Sequence, residues 1–238
     1  GLGDVYKRQG LALSDRSTEQ DVAELVQYLM ESKCLFVCIS GEHLVDTITP
    51  RTVRELKSDR MNQFIQQYIS ATKNPTPHNP FPIAIVITKY DLCHHRDKEE
   101  IIADVQKLFQ ALFTPNSGWL VMICPVSLGK DLCEDIDHAK IVPVNVHLPV
   151  VFAAYAQLRA YGIKLKANRD RQLLAIDVIK QANPLIQLLK NSELDEQTTQ
   201  LQNCETEITT VEEKMKLLSS ELQQVSLYFS GSEVTADV

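Results

Sequence analysis

Three short apolar runs constrain what this chain can fold into more than any other feature of its sequence. They occupy residues 34–39, 83–88 and 120–126, and polar residues do not alternate with apolar ones in any of them. Unbroken apolar runs of this length are typical of strands that are covered on both faces, as in a parallel sheet. The sequence therefore predicts a parallel sheet within a three-layer α/β fold.

Helical patterns separate and flank these runs. Apolar residues recur at helical spacing within residues 22–29, 53–69 and 101–112, and residues 17–20 resemble a capping box. Strands that alternate with helices in this way favour right-handed βαβ units. In such a fold, ligands bind at the carboxyl ends of the strands, so the residues that follow each run are candidates for a site. Residues 74–82 include four prolines and are predicted to form a stiff connector.

The second apolar run leads directly into the tetrapeptide Thr88-Lys89-Tyr90-Asp91. A carboxylate at this edge can accept hydrogen bonds from guanine N1–H and N2–H₂, which adenine does not offer, and a lysine stem can lie along the base. The tetrapeptide resembles the N/T-K-x-D guanine-specificity motif of the TRAFAC class of P-loop GTPases, in which asparagine is commoner than threonine at the first position. The resemblance implies that Thr88, Lys89 and Asp91 bind GTP or GDP. The alternative is an ordinary polar turn with Lys89 and Asp91 solvated.

The third apolar run is followed by Ser127-Leu128-Gly129. In the same GTPases an S-A-K/L segment stands at this place, and it forms a tight loop that presents backbone N–H groups to guanine O6. The resemblance implies that Ser127 supports the Asp91 carboxylate, that the Leu128 N–H faces the base and that Gly129 permits the turn. The alternative is a strand-to-loop turn that binds no ligand.

Two other motifs of these GTPases are absent from the sequence. It contains no GxxxxGK(S/T) phosphate-binding loop, and no DxxG precedes the first apolar run. The resemblance therefore implies an N-terminally truncated domain, whose full-length form binds Mg²⁺ and hydrolyses GTP while this fragment is inactive. No catalytic residue and no metal ligand is assigned. Because the phosphate-loop strand lies beside the equivalent of residues 34–39 in these GTPases, that run is expected to expose an unpaired hydrophobic edge.

Changes in composition along the chain suggest five segments. Residues 1–9 resemble a translated sequencing-adapter artefact and are left out of the fold prediction. Residues 10–161 are predicted to form the partial GTPase domain and residues 162–192 a helical connector. Residues 193–229 are predicted to form a coiled coil and residues 230–238 a disordered tail.

A heptad repeat is the basis for the predicted coiled coil. The seam consists of Leu194, Leu201, Cys204, Ile208, Val211, Met215, Leu218, Leu222, Val225 and Phe229. A helix with this stripe can fold back on the domain or pair with a second chain, either another copy or another protein. Burial of the stripe favours pairing, because isolated helices gain most of their stability in this way.

Composition narrows the possible partners. No stretch approaches the roughly 20 apolar residues that a membrane-spanning helix needs. The six cysteines contain no CxxC pair, which favours a reducing, cytoplasmic compartment. The net charge of −7 comes from residues 193–238, which carry ten Asp/Glu against two Lys, a balance of −8. The remaining residues nearly balance, so the sequence does not indicate a nucleic-acid partner.

Two weaker patterns also contain residues that could form a site. One group could supply zinc ligands, but its spacing matches no structural zinc pattern. The group consists of Cys93, His94, His95, Cys133 and His138. His43 follows the first apolar run and is expected to be an ordinary loop histidine rather than a catalytic one.

Two functions follow from these observations. The first is a guanine-nucleotide-binding switch that passes its state to the coiled coil, as in GTPases linked to bacterial conflict systems, which the chain also resembles. The second is a non-catalytic, GTPase-like scaffold that oligomerises or binds partners through residues 194–229.

Overall fold

A computed structural model describes residues 19–129, 141–181 and 191–236 of the 238-residue chain. The predictions for residues 1–9, for the start of the capping box and for Cys133 and His138 lie outside this part. The described residues divide into two compact units. The first contains those up to Ala153 together with Leu222–Ala236, and the second contains those within Ala154–Glu221.

Strands and helices alternate through most of the first unit. The helices are α1 (Glu19–Glu31), α2 (Pro50–Leu56), α3 (Ser58–Thr72) and α4 (Lys98–Leu108). The strands are β1 (Leu35–Ser40), β2 (Phe81–Thr88), β3 (Trp119–Pro125), β4 (Ser226–Phe229) and β5 (Ser232–Val234). Short 3₁₀ turns occupy Gly41–Leu44, Tyr90–Leu92 and Gln110–Phe113. The mixed α/β class predicted from the sequence is therefore confirmed.

The five strands form one sheet in the order β1-β2-β3-β4-β5. Strands β1, β2 and β3 are parallel, whereas β4 is antiparallel to β3 and β5 is antiparallel to β4. The register pairs Ser40 with Thr88 and Ile87 with Pro125, so the carboxyl ends of the three parallel strands lie at one edge. The expectation of a wholly parallel sheet is wrong, because the end of the chain adds two antiparallel strands.

The core explains the unbroken apolar runs. In β2 and β3 nearly every residue is buried, on both faces of the sheet. One face packs against α3 and α4 through a cluster that includes Ile85, Ile123, Phe64 and Val105. Burial on both faces removes the need for polar alternation, as the sequence predicted for these two strands.

Strand β1 differs from the other parallel strands. Its buried residues alternate with exposed ones, and Phe36 is 44% exposed. Among the described residues β1 pairs with β2 alone, at the end of the sheet. The composition of this run predicted burial on both faces, and that prediction is wrong for β1. The predicted unpaired hydrophobic edge is present in this part of the chain.

The helix predicted over residues 53–69 is two helices. Helix α2 ends at Leu56 and α3 begins at Ser58, and the φ of Lys57 between them is 51°, in the left-handed region. Thr49 caps α2 through a reciprocal capping box with Thr52, and Pro50 occupies the first turn. Proline and a capping hydroxyl favour a helix start at this point, ahead of the predicted one.

The second unit consists of parts of two long helices, α5 (Leu148–Gln181) and α6 (Asn191–Leu222). Helix α5 runs through the predicted boundary between residues 161 and 162, so that boundary is wrong. Cys204, Ile208, Val211 and Met215 of the heptad seam are buried.

Contacts with α5 of the same chain cover part of this seam. The Cys204 Sγ lies 3.4 Å from the Leu165 carbonyl oxygen, and Lys166 forms a 2.8 Å ion pair with Glu212. Tyr161 donates a 2.8 Å hydrogen bond to Glu207. These contacts favour the alternative in which the apolar stripe of α6 is buried within one chain.

The predicted coiled coil extends too far. Helix α6 ends at Leu222, and Ser226–Phe229 form β4 rather than the last heptad. The prediction of a disordered tail over residues 230–238 is also wrong for Ser232–Val234, which form β5. The edge of β3 offers backbone donors and acceptors to this segment, and Leu227 and Tyr228 become buried there. No helix in the described ranges is both long and apolar enough to cross a membrane.

Candidate functional site

Three turns meet at the carboxyl edge of the parallel strands. The 3₁₀ turn Gly41–Leu44 follows β1, the turn that begins at Lys89 follows β2, and residues 127–129 follow β3. All six residues predicted to bind the nucleotide belong to the end of β2 or to the second and third of these turns. Their proximity follows from the parallel register, since neighbouring parallel strands end side by side.

A side-chain hydrogen bond joins the two predicted motifs. Ser127 Oγ donates to Asp91 Oδ1 at 2.6 Å, and the Gly129 N–H donates to the same Oγ at 3.0 Å. The hydroxyl thus accepts one bond and donates another, and it fixes one carboxylate oxygen. Ser127 is buried, which favours this paired arrangement. The predicted contact between Ser127 and Asp91 is confirmed.

Backbone hydrogen bonds hold the same two turns together. The Val126 N–H donates to the Ile87 carbonyl at 2.8 Å, and the Tyr90 N–H donates to the Val126 carbonyl at 3.1 Å. These bonds continue the pairing of β2 with β3 past the ends of both strands. Gly129 has a φ of 108°, which a residue with a Cβ rarely adopts. The glycine therefore allows the turn to leave the sheet at this point.

Lys89 makes a contact that the motif does not predict. Its Nζ forms a 2.7 Å ion pair with Glu42 Oε1, and each side chain is about half exposed. The hydrogen bond and charge of Lys89, together with a bond from Ser40, lower the pKa of Glu42. The ammonium group is therefore held toward the turn after β1.

Gly41 lets the first two turns approach closely. A Cβ at this position would lie 2.5 Å from the Lys89 carbonyl oxygen, closer than atoms can pack. Thr88 Oγ1 donates a 3.2 Å hydrogen bond to the Ile39 carbonyl, so its hydroxyl ties β2 to β1. Glu42 and Gly41 thus belong to the site. The only signal of them in the sequence is their place directly after an apolar run.

Leu128 lies at the surface of the third turn and is 48% exposed. Its carbonyl accepts a 2.9 Å hydrogen bond from the Val142 N–H. Ser127 forms an antiparallel bridge with Val144. A returning segment therefore borders the turn, which the sequence did not predict.

Arg96 supports the turn after β1 through hydrogen bonds. Arg96 Nη1 donates to the carbonyl oxygens of Leu44 and Asp46 at 3.0 Å each, and Nη2 donates to Asp104 Oδ2 at 2.9 Å. Asp104 is 2% exposed. The planar guanidinium thus links α4 to the turn after β1.

The other candidate residues occupy ordinary structural positions. His43 Nδ1 lies 3.6 Å from Glu55 Oε2, at the surface. Cys93 is buried against the Tyr90 carbonyl, and burial raises the pKa of its thiol. The His94 ring hydrogen-bonds to the Asp91 carbonyl. Within the described ranges, no group of His, Cys, Asp and Glu side chains is arranged to hold a metal ion.

Comparisons with known proteins supply no relative. No protein-family model, curated protein or solved structure matches this chain.

Proposed function

We propose that this chain recognises the base of a guanine nucleotide through the turns that follow β2 and β3. One observation carries the proposal, namely the 2.6 Å hydrogen bond from Ser127 Oγ to Asp91 Oδ1. It orients a carboxylate beside the turn of residues 127–129, at the carboxyl edge where parallel sheets bind ligands.

Each group has a defined part in this proposal. The Asp91 carboxylate accepts hydrogen bonds from guanine N1–H and N2–H₂, while the Leu128 N–H donates to O6. The Lys89 stem lies along the base face, with its ammonium group anchored by Glu42. Thr88 and Gly129 shape the two turns. This chemistry selects guanine over adenine, because adenine offers an unprotonated N1 where the carboxylate needs a donor.

The proposal assigns base recognition to this chain and no catalytic step. Phosphoryl transfer in P-loop GTPases depends on a phosphate-binding loop and Mg²⁺, and the sequence contains no GxxxxGK(S/T). GTP hydrolysis is therefore proposed only for a full-length form that supplies these groups.

A non-catalytic scaffold is the second candidate, favoured by the two long helices. Helix α5 has 34 residues and α6 has 32, and both extend into a unit separate from the sheet. A protein of this kind would use the helices to bind partners and would show no preference among nucleobases.

Nucleoside titration of the purified chain tests the first proposal. We expect guanosine to bind at least about tenfold more tightly than adenosine, because hydrogen bonds to a charged group contribute about 1.5–3 kcal/mol. Perturbed amide signals in NMR spectra should map to Asp91 and residues 127–129. Equal affinity for the two nucleosides would overturn the proposal and favour the scaffold.

The variant Asp91→Asn sharpens this test. The amide accepts from N1–H but donates toward position 2, so preference is expected to move from guanosine toward xanthosine, which carries an oxygen there. The control is Asp177→Asn, the same chemical change at an exposed position of α5. It should leave the affinity for guanosine unchanged. Unaltered base preference in the Asp91 variant would exclude this carboxylate from recognition.

A further inference from the structure

We propose that residues 142–145 form a strap that orients the turn after β3, and that Asn145 is its positioning residue. The existence of the strap rests on contacts within the chain. Its effect on ligands rests on the proposed function, because the turn it holds contains the Leu128 N–H assigned to guanine O6.

Three backbone hydrogen bonds attach the strap to the turn. The Ser127 N–H donates to the Val144 carbonyl at 3.2 Å, and the Val144 N–H donates to the Ser127 carbonyl at 2.8 Å. The Val142 N–H donates to the Leu128 carbonyl at 2.9 Å. Two consecutive carbonyl groups of the turn are therefore held by the same segment.

Peptide geometry converts these bonds into an orientation of the Leu128 N–H. The Ser127 carbonyl and the Leu128 N–H belong to one planar trans peptide group and point in opposite directions. Because the Val144 N–H holds the Ser127 carbonyl toward the strap, the Leu128 N–H points away from it. A displaced strap would release this peptide plane and with it the direction of the donor.

Asn145 anchors the strap to the sheet. Its Nδ2 donates a 3.0 Å hydrogen bond to the carbonyl of Pro125, the last residue of β3. Its own carbonyl accepts from the Leu148 N–H at 3.1 Å, at the start of α5. The φ of Asn145 is 58°, in the left-handed region that asparagine tolerates better than most residues.

Apolar packing contributes little to holding the strap. Val142 is 51% exposed and Val144 is 47% exposed. A segment with such exposed side chains buries little apolar surface, so hydrogen bonds must determine its position. The side-chain bond of Asn145 reaches β3 directly, and a weaker bond of 3.9 Å from Cys124 Sγ to the Asn145 carbonyl lies beside it.

The variant Asn145→Asp tests the anchor with little change in shape. Aspartate also tolerates a left-handed φ, but it presents an oxygen where Nδ2 donated to the Pro125 carbonyl. The control is Asn116→Asp, because Asn116 has a φ of 57° and is exposed in the turn that precedes β3. Both variants should unfold at similar temperatures if their backbones stay intact.

Amide hydrogen exchange of the ligand-free protein tests whether Asn145 holds the strap in place. We expect the amides of Ser127 and Val144 to exchange about fivefold or more faster in Asn145→Asp, and at the wild-type rate in Asn116→Asp. The magnitude corresponds to the loss of one neutral hydrogen bond. Unchanged exchange at both amides in Asn145→Asp would overturn the proposal.

The affinity for nucleosides tests the positioning role of Asn145. Guanosine should bind about fivefold more weakly to Asn145→Asp than to the wild type. Replacing guanosine by 6-thioguanosine should lower the affinity of the wild type more than that of the variant, because sulfur accepts hydrogen bonds poorly. Faster exchange with unaltered guanosine affinity would overturn the positioning role. If the wild type binds no guanosine, the proposed function fails, while faster exchange in the variant would still support the strap.

Discussion

Replacing Asp104 by alanine is expected to destabilise the first unit by about 3 kcal/mol. Asp104 is 2% exposed, and the Arg96 side chain that donates to it at 2.9 Å is 10% exposed. Removing one member of a buried ion pair costs about 3–5 kcal/mol, because the other charge stays buried without its partner.

Three remaining contacts of Arg96 place the expected cost at the lower end of that range. Arg96 keeps its bonds to the carbonyl oxygens of Leu44 and Asp46 in the variant. The Glu100 carboxylate, 3.6 Å from Arg96, can also compensate part of the positive charge of Arg96, although the Glu100 side chain is 68% exposed. For a unit of this size, a loss of about 3 kcal/mol lowers Tm by roughly 6–12 °C.

Fluorescence of Trp119 provides the assay. It is the single tryptophan of the chain and is buried within the first unit, so its emission reports the unfolding of that unit in urea or on heating. The control is Lys107→Ala, because Lys107 lies 3.4 Å from the other oxygen of Asp104 but is 66% exposed. An exposed pair contributes about 0–1 kcal/mol. Equal and small losses for the two variants would refute a buried ion pair at this position.

Two further outcomes are expected. Tyr228→Ala should cost about 3 kcal/mol, because Tyr228 is buried and its ring lies 5.3 Å from that of Phe113. Phe229→Ala should lower the free energy of unfolding by less than Tyr228→Ala in the same urea titration. A larger loss for Phe229→Ala would favour a helical heptad over β4. Lys89→Met should raise the pKa of Glu42, measured by NMR, toward the ordinary value of a glutamate side chain. Because the folded-state pKa of Glu42 is lowered, its stabilising contribution is present above the unfolded value and is lost as pH falls through the lowered folded-state pKa. A Glu42 pKa that does not respond to Lys89→Met would contradict the ion pair.

The sequence predicted the central strands because their composition reflects their surroundings. Residues 83–87 and 120–126 carry no polar side chain, and β2 and β3 are buried on both faces. The same reasoning failed for β1, whose run is equally apolar but half exposed. Composition alone does not reveal that a strand lies at the end of the sheet, since that depends on which other segments pair with it.

The meeting of Asp91 and Ser127 was also predictable from the sequence. Each residue follows an apolar run, and adjacent parallel strands end at one edge. The ion pair between Lys89 and Glu42 was not predictable in the same way. It depends on the close approach that Gly41 permits, and a glycine after a strand does not identify the turn that it will contact.

The end of the chain shows why periodicity can mislead. The heptad pattern continues to Phe229, yet helix α6 ends at Leu222 and Ser226–Phe229 form strand β4. Aromatic and aliphatic residues suit both a helical stripe and a strand that covers a sheet. The choice between them was made by the edge of β3, to which β4 donates and from which it accepts hydrogen bonds.

By itself, the sequence determined two fully buried parallel strands and the polar turns at their carboxyl ends. Burial and turn chemistry are local properties that the residues carry wherever the chain goes. Only the tertiary structure decided the exposed flank of β1, the strap over the turn after β3 and the antiparallel strands at the end of the chain. Each of these depends on a backbone or side-chain partner far away in sequence, and no local pattern specifies such a partner.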